Sequence, residues 1–266
     1  MENNNVKIGV HMIVDIHSHI IPGIDDGSKN MEMTLEMLKN AEKDGTKDII
    51  ATPHYMLEYG ESIISEVKIL VEEINSIINN QGLNLKIYSG QEVYYTENII
   101  QDYMEGRIGT LNDSKYMLIE FPMRKFDDNI CDIIYELQVR GITPIIAHPE
   151  RYKPIIENPS YINKFINEGY LFQMNAGSLE GKFGSDVKKT TEALLENGIY
   201  NFIGSDAHNT KNRNTGLANS IKLANKNNNI EEIFKYSSKK ILRNEHIDFL
   251  GERIKEKRSI FSFLKK

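Results

Sequence analysis

A parallel α/β fold closed into a single barrel is the architecture that the sequence predicts. Three observations carry the expectation: seven short apolar runs rich in β-branched and aromatic residues, amphipathic helical patterns between them, and a glycine just after each pattern. The runs mostly lack polar–apolar alternation, which suits strands buried on both faces. Strand–helix alternation seven times over implies a parallel sheet, and closure is its most economical arrangement. The 266 residues are about right for one such barrel, typically ~250 residues.

The strand-like runs lie near Met12–Ile16, Asp48–Thr52, Leu85–Ser89, Tyr116–Phe121, Thr143–Ala147, Tyr170–Met174 and Tyr200–Ile203. Met31–Lys43 reads as a helix because Met33, Met37 and Ala41 recur every four residues with Leu38 beside them, and it stops at Gly45. Ser62–Asn79 is long and amphipathic and ends near Gly82. Asn129–Arg140, Asn158–Asn167 and Asp186–Asn197 end at Gly141, Gly169 and Gly198. Glycine at these positions is the usual C-terminal stop of a helix. No repeat, low-complexity block or linker divides the chain. It therefore reads as one domain over 12–250, preceded by a polar, Asn-rich extension (1–11) and followed by a basic tail (251–266).

Composition narrows the function classes. A single cysteine, Cys131, leaves no internal disulfide framework and fits a reducing cytoplasm. The formal charge of −6 argues against a dedicated nucleic-acid binder. The N-terminus has no apolar signal region, and no stretch approaches the ~20 apolar residues of a membrane span. The tail carries Arg253, Lys255, Lys257, Arg258, Lys265 and Lys266 around Ile254, Ile260, Phe261, Phe263 and Leu264. The plain reading is a solvated end; the sharper one is weak contact with an anionic membrane surface or a partner protein.

Ligand-type residues follow most of the runs. His17 and His19 come after the first, then Asp25 and Asp26; His54 follows the second and Glu92 the third. Glu120 ends the fourth, His148 follows the fifth, and Asp206 and His208 follow the seventh. The sixth offers only the neutral Gln173 and Asn175. In extended backbone residues two apart share a face, so His17 with His19, and Asp206 with His208, are placed to grip one centre. Active sites of such barrels sit at the carboxyl ends of the strands, so the set is expected to converge. Crowded carboxylates there should raise one another's pKa unless cations neutralise them. Five imidazoles and four carboxylates, with no thiolate, suit two or three Mn, Fe, Zn or Co ions. His11 and His246 read as ordinary surface residues.

On these residues the chain resembles the polymerase-and-histidinol-phosphatase (PHP) superfamily of metal hydrolases, and most of all its bacterial protein-tyrosine-phosphatase branch, the CpsB/YwqE type. The segments that carry the resemblance are Asp15-Ile16-His17-Ser18-His19 with Pro22-Gly23-Ile24-Asp25-Asp26-Gly27, Ala51-Thr52-Pro53-His54, Gly90-Gln91-Glu92, Leu118-Ile119-Glu120-Phe121-Pro122 and Ile146-Ala147-His148-Pro149-Glu150-Arg151-Tyr152. Ala176-Gly177-Ser178-Leu179-Glu180-Gly181-Lys182-Phe183-Gly184 and Ser205-Asp206-Ala207-His208 complete the set. The resemblance implies a distorted seven-stranded (β/α)7 TIM-like barrel with a trinuclear, manganese-type centre. It implies His17, His19, Glu92 and Asp206 on one ion, with Glu92 bridging; Glu120 and His148 with Glu92 on a second; and Asp26, His54 and His208 on a third. Asp26 is taken as the ligand by analogy, and its neighbour Asp25 stays open as the alternative.

The activity so implied is hydrolysis of protein phosphotyrosine by a hydroxide that the metal centre supplies. The substrate would be a bacterial tyrosine kinase tail that controls capsular or exopolysaccharide synthesis. Arg151 and Arg213 are the expected phosphate-binding residues, since guanidinium matches phosphate in a planar fork. Asp206 and His208 complete the expected catalytic group, His208 or water protonating the leaving phenolate. Tyr55–Gly60 and Pro122–Phe126 extend from active-face strands as candidate substrate walls. Cysteine-based phosphatase chemistry is set aside, because it needs an Arg six positions after the Cys and Leu137 stands there. Rival readings are a histidinol-phosphate phosphatase or nuclease on the same centre, and a non-catalytic barrel that binds a phosphoprotein. An oligomer is also compatible with the sequence.

Overall fold

In a computed structural model the described residues are 13–57, 59–225 and 230–255. The extension over 1–11, with His11, and the tail beyond residue 255 lie outside them. The described residues form ten strands: β1 (Val14–Ser18), β2 (Asp48–Ala51), β3 (His54–Met56), β4 (Gly60–Glu61), β5 (Lys86–Ser89), β6 (Glu92–Tyr94), β7 (Tyr116–Glu120), β8 (Thr143–Ala147), β9 (Leu171–Asn175) and β10 (Phe202–Gly204). All pair in parallel except the β3–β4 hairpin.

The α/β class and the parallel direction match the expectation, but the strands are divided between two sheets rather than joined in one closed barrel. One sheet has the order β1-β2-β5 and the other β10-β9-β8-β7-β6-β3-β4. The division has a local cause. The expected runs Asp48–Thr52 and Leu85–Ser89 form as β2 and β5, and further short strands, β3 and β6, follow them after Pro53 and Gln91. Proline has no N–H to give to a ladder, and Gly90 sits where a Cβ would come 2.8 Å from Leu111 and 2.9 Å from Ile50. β2 and β5 stay with β1, while β3 and β6 join the sheet that contains β7. Between β1 and the chain after β10, Asp206 N–H donates to the His17 carbonyl (2.8 Å) and His19 N–H to the Ala207 carbonyl (2.9 Å). Between the sheets, one apolar cluster takes Val14, Ile16 and Ile50 from the first and Leu118, Ile145 and Phe202 from the second.

The helices form where the apolar spacing places them, within two residues at each end, apart from the expected Asn158–Asn167. That segment is a short 3-10 turn over Pro159–Tyr161 followed by the helix Ile162–Asn167. Helix Met31–Asp44 starts at Asn30, whose side chain accepts the Met33 N–H (2.9 Å), and stops at Gly45, whose φ of 104° suits glycine. It buries Met37, Leu38 and Ala41 in one cluster with Ile20 and Ile21, which follow β1, with Ile49 and Ala51 of β2, and with Val67, Val71 and Ile74 of helix Ile64–Asn80. Helices Ile99–Met104, Lys153–Glu157, Ala176–Leu179, Ala218–Ala224 and Ile230–Leu242 were not anticipated. Ile230–Leu242 lies at the amino ends of the strands: its Ser238 hydroxyl accepts the Val14 N–H (3.1 Å), and just beyond it Glu245 accepts from Tyr116 (2.6 Å). Cys131 lies in the first turn of helix Ile130–Val139 and is buried. No described helix is long and apolar enough to cross a membrane. The chain at 252–254 is held to the domain, Glu252 N–H on the Asn197 carbonyl (2.8 Å) and Ile254 N–H on the Asn163 side chain (2.9 Å).

One buried hydroxyl ties the mouth of the fold together. Tyr152 donates to the Ala147 carbonyl (2.7 Å) and accepts the Phe121 N–H (2.9 Å), clamping the residues next to His148 and Glu120. Tyr152→Phe strands both backbone groups out of water and is expected to lower stability by about 1–3 kcal/mol. Urea unfolding checks it: the midpoint should fall with the slope unchanged.

Candidate metal centre

All nine expected ligand residues meet at one mouth of the fold, where β1, β7, β8 and β10 end and where β3 and β6 begin. Glu92, first residue of β6, is at the centre. Its Oε2 lies 3.1 Å from His17 Nε2, 3.2 Å from His19 Nε2 and 3.1 Å from His54 Nδ1, and its Oε1 lies 3.0 Å from His148 Nε2. Asp206 Oδ1 is 3.6 Å from His17 Nε2, 3.4 Å from His19 Nε2 and 3.4 Å from His208 Nδ1. Glu120 Oε1 lies 3.7 Å from His148 Nε2. Asp26 Oδ1 lies 3.1 Å from His208 Nε2 and 3.5 Å from His54 Nε2. His246, the other described histidine, is exposed and pairs with Asp248 at 3.0 Å, far from this group in role.

Local backbone brings these side chains in. The β1–β2 register shifts between Asp15 and Ser18, at the residue that presents His17. His54 and Glu92 are direct register partners across β3 and β6. His148 and Asp206 both adopt positive φ, 30° and 50°, a cost that non-glycine residues carry mostly at functional sites. Gly204 lets β10 lie against β1: a Cβ there would stand 2.5 Å from His17 Cβ. Gly27 does the same for the Asp-Asp-Gly turn, where a Cβ would stand 2.3 Å from the His19 carbonyl oxygen.

Second contacts fix which nitrogen each imidazole offers. His17 Nδ1 meets Gln173 Oε1 at 3.0 Å, and that oxygen also accepts the His148 N–H (3.3 Å), so it is the amide oxygen. His17 Nδ1 therefore carries the proton and Nε2 offers a lone pair. His19 Nδ1 likewise meets the Asp25 carboxylate at 2.8 Å, which turns its Nε2 inward. The two Nε2 atoms stand 3.2 Å apart, facing the Glu92 and Asp206 oxygens. His54 Nδ1 and His208 Nε2 are buried and make no hydrogen bond, although a carboxylate oxygen stands 3.1 Å from each. Lone pairs converging at these separations, oriented from behind by carboxylate and amide, form the donor set of a divalent-cation site. Three groups of donors lie close enough to share an ion: His17, His19 and Glu92; His54, Glu92 and Glu120; and His19, Asp26, His54 and His208.

The charges differ from simple carboxylate repulsion. Burial and the neighbouring Glu92 charge raise Glu120 well above the carboxylate range. Burial also opposes ionisation of Glu92 and Asp206, but the surrounding imidazoles, and for Asp206 the guanidiniums of Arg213 and Arg151, hold both well below it. Asp25 is likewise held down to about 2, His19 outweighing its burial. The histidines interleave the acids, which the sequence order conceals. Burial presses His54 and His148 down to about 4, keeping both neutral.

Asp25, open from the sequence as the alternative ligand, is the hub of its turn, accepting also from Gly27 N (2.9 Å) and His54 N (3.0 Å), while Asp26 faces His54 and His208. Gln173 and Asn175, given no role from the sequence, complete the site. Asn175 donates to Asp206 Oδ2 at 2.6 Å. Their signal was the placement of Gln173 and Asn175 at the end of an apolar run. Arg151 and Arg213 both reach Asp206, at 3.0 and 2.6 Å. They line a cavity of about 360 Å³ together with Met56, Tyr59, Tyr94, Met123 and several of the ligand residues. Of the expected walls, Phe126 is buried in the core and Leu57 is exposed.

The chain has extensive likenesses. Residues 13–244 match the profile of the family described as capsular polysaccharide synthesis, CpsB/CapC. It is 40% identical over 240 residues to the putative tyrosine-protein phosphatase CapC of Staphylococcus aureus, covering 88% of this chain and 93% of that protein. It is 32% identical over 253 residues to the tyrosine-protein phosphatase YwqE of Bacillus subtilis, covering 94% of this chain and all 100% of that one. In three dimensions it matches a structure from work on B. subtilis YwqE and Streptococcus pneumoniae CpsB, described as unique metal-dependent tyrosine phosphatases. The TM-score is 0.87 at 32% identity, over 92% of this chain and 100% of the other.

Metal-stripped protein is expected to gain thermal stability when manganese is added, by about 2.7 kcal/mol at a hundredfold excess over Kd. Glu92→Gln should lose most of that gain, as measured by differential scanning calorimetry with metal analysis. Acidification should release the ion, because proton and cation compete for the same lone pairs. Although burial alone would lower His17 and His19, Glu92 and Asp206 raise the first and Asp25 chiefly raises the second. Release should therefore begin above the ordinary imidazole pKa of about 6.5. An unchanged melting profile with manganese at neutral pH would argue against the centre.

Proposed function

The chain belongs to the CpsB/CapC capsular polysaccharide synthesis family, and from that premise we propose that it is a metal-dependent tyrosine-protein phosphatase acting in control of surface polysaccharide. The observation that carries the reading is the convergence of nine nitrogen- and oxygen-donor residues at one mouth of the fold, six of them lining one cavity together with Arg151 and Arg213. The relatives' names supply the substrate class, phosphotyrosine in protein, and we take a bacterial tyrosine kinase tail as the natural substrate. We also read the two sheets as one distorted seven-stranded barrel, a reading supported by the backbone hydrogen bonds between β1 and the chain after β10.

His17, His19, Glu92 and Asp206 would hold one ion. Glu120 and His148 would share Glu92 with a second, and Asp26, His54 and His208 would hold a third. An all-nitrogen-and-oxygen set suits manganese, with Fe, Zn or Co as alternatives. Bound divalent ions neutralise phosphoryl oxygens and make a water-derived nucleophile available near neutral pH. The remaining work falls to the chain. Arg151 and Arg213 present N–H donors to the phosphoryl oxygens. Met56, Tyr59, Tyr94 and Met123 give the cavity apolar walls suited to a phenyl ring. Gln173 and Asp25 hold His17 and His19 in the tautomer whose Nε2 points inward. His208 has Nδ1 on the Asp206 carbonyl (3.0 Å) and Nε2 toward Asp26, which favours a ligand over a proton donor. The leaving phenolate, with a pKa of about 10, can take its proton from water.

Manganese-loaded protein is expected to hydrolyse a phosphotyrosine peptide far faster than histidinol phosphate or single-stranded DNA. His17→Ala should remove turnover with the fold retained. Arg151→Ala should keep the metal content and lower kcat/KM by about tenfold to a hundredfold, as loss of a charged hydrogen bond of about 1.5–3 kcal/mol implies. Preference for histidinol phosphate or DNA, or tight phosphopeptide binding without turnover, would replace this reading with one of its rivals.

A further inference from the structure

Arg151 and Arg213 arrive from different loops, yet both guanidiniums stand over the same aromatic ring. Their central carbons lie 4.6 and 6.0 Å from the centroid of Phe183. Acid and ring hold an arginine in different ways. A carboxylate takes up in-plane N–H donors, as Asp206 does here at 3.0 and 2.6 Å. An aromatic ring attracts the cation through its face and leaves the N–H fork free. Arg213 Nε is buried without a hydrogen-bond partner, and both arginines border the cavity.

The surroundings of Phe183 are shaped for this contact. Gly177, buried in helix Ala176–Leu179, lies against the ring: a Cβ there would come 2.9 Å from Phe183 Cε2. The chain turns on either side of Phe183 through Gly181 and Gly184, at φ of 81° and 99°, a region open chiefly to glycine. A half-buried phenylalanine in a loop this constrained contributes little to the main core, to which it does not belong.

We propose that Phe183 is a positioning residue for phosphate recognition: its ring holds the Arg151 and Arg213 guanidiniums side by side at the cavity, so that their donors meet one phosphoryl group together. The proposal rests on the phosphatase reading for the identity of the ligand, but not for its test.

The test uses manganese-loaded protein and inorganic phosphate as probe, with affinity measured by titration calorimetry. KM and kcat for a phosphotyrosine peptide are followed in parallel. Phe183→Leu, which keeps an apolar side chain but removes the ring, should weaken phosphate binding and raise KM by about tenfold, the scale of two cation–π contacts. The kcat and the metal content should stay near those of the parent. Phe183→Tyr should restore parental values, and Gly177→Ala, which displaces the ring rather than removing it, should fall between the two. In an Arg151→Ala background, Phe183→Leu should cost much less, because only the more distant Arg213 remains over the ring. Phosphate affinity indifferent to Phe183→Leu would overturn the proposal. So would a loss as large in the Arg151→Ala background, failure of Phe183→Tyr to restore binding, or a parent protein that binds no phosphate. Phosphate affinity that depends on Phe183 in a protein unable to cleave phosphotyrosine would instead sink the functional reading and leave the positioning role standing.

Discussion

A carboxylate withdrawn from water and touched by four imidazoles is the constraint around which this molecule is organised. Glu92 is 1% exposed, with His17, His19, His54 and His148 all within 3.2 Å. An unpaired charge at that depth would cost several kcal/mol, so its partners must be delivered accurately. They come from β1 with the residue after it, from β3 and from the loop after β8, three separate stretches of chain. No local element could assemble that group. Only parallel strands that open toward one mouth bring it together, so the site and the topology impose one condition on the chain.

Meeting that condition distorts the strands that supply the ligands. The β1–β2 register shifts between Asp15 and Ser18 around His17, new short strands begin at His54 and Glu92 just after the second and third expected strands, and the chain leaves β8 and β10 through positive φ at His148 and Asp206. The fourth runs regularly, and Glu120 is simply its last residue. Supporting bonds hold the departures in place: Tyr152 across Ala147 and Phe121, Asp25 across His19, Gly27 and His54, and Gln173 across His17 and His148. Irregular backbone here is the means by which neighbouring strands aim at one point.

Much of this was legible in the sequence, for a physical reason. A ligand at the mouth of a parallel fold must follow an apolar strand, so His54, Glu92, Glu120, His148 and the pairs His17/His19 and Asp206/His208 announced themselves by position. The short strands β3 and β6 were not legible, because each is three residues long and opens on a charged or polar ligand, His54 or Glu92, just after an expected run has ended. Gln173 and Asn175 were passed over as neutral, although orienting an imidazole or a carboxylate needs only an amide. Helix Ile230–Leu242 escaped notice too, although Ile230, Phe234 and Ile241 recur at helical spacing. The pairing of Phe183 with Arg151 and Arg213 had no sequence signal, since 30 or so positions separate each arginine from the ring and nothing in linear order relates them.

Charge at the mouth links the metal cradle to the choice of substrate. Asp25, Asp26, Glu92, Glu120 and Asp206 oppose the two guanidiniums of Arg151 and Arg213, and histidines that give lone pairs to a cation add nothing. Without cations that arrangement is negative by three when every acid is ionised and every imidazole neutral, and protons held by Glu120, His17 and His19 relieve part of the strain. Bound divalent ions would displace those protons and supply the positive charge in their place. Each added ion shifts the balance by plus two, toward a cavity that attracts a phosphate monoester dianion. A neutral amide or ester substrate would gain little from such a surplus. The same residues that would hold the cations thus set the sign of the field that the substrate meets, and the arginines stand where that field reaches the open side of the cavity.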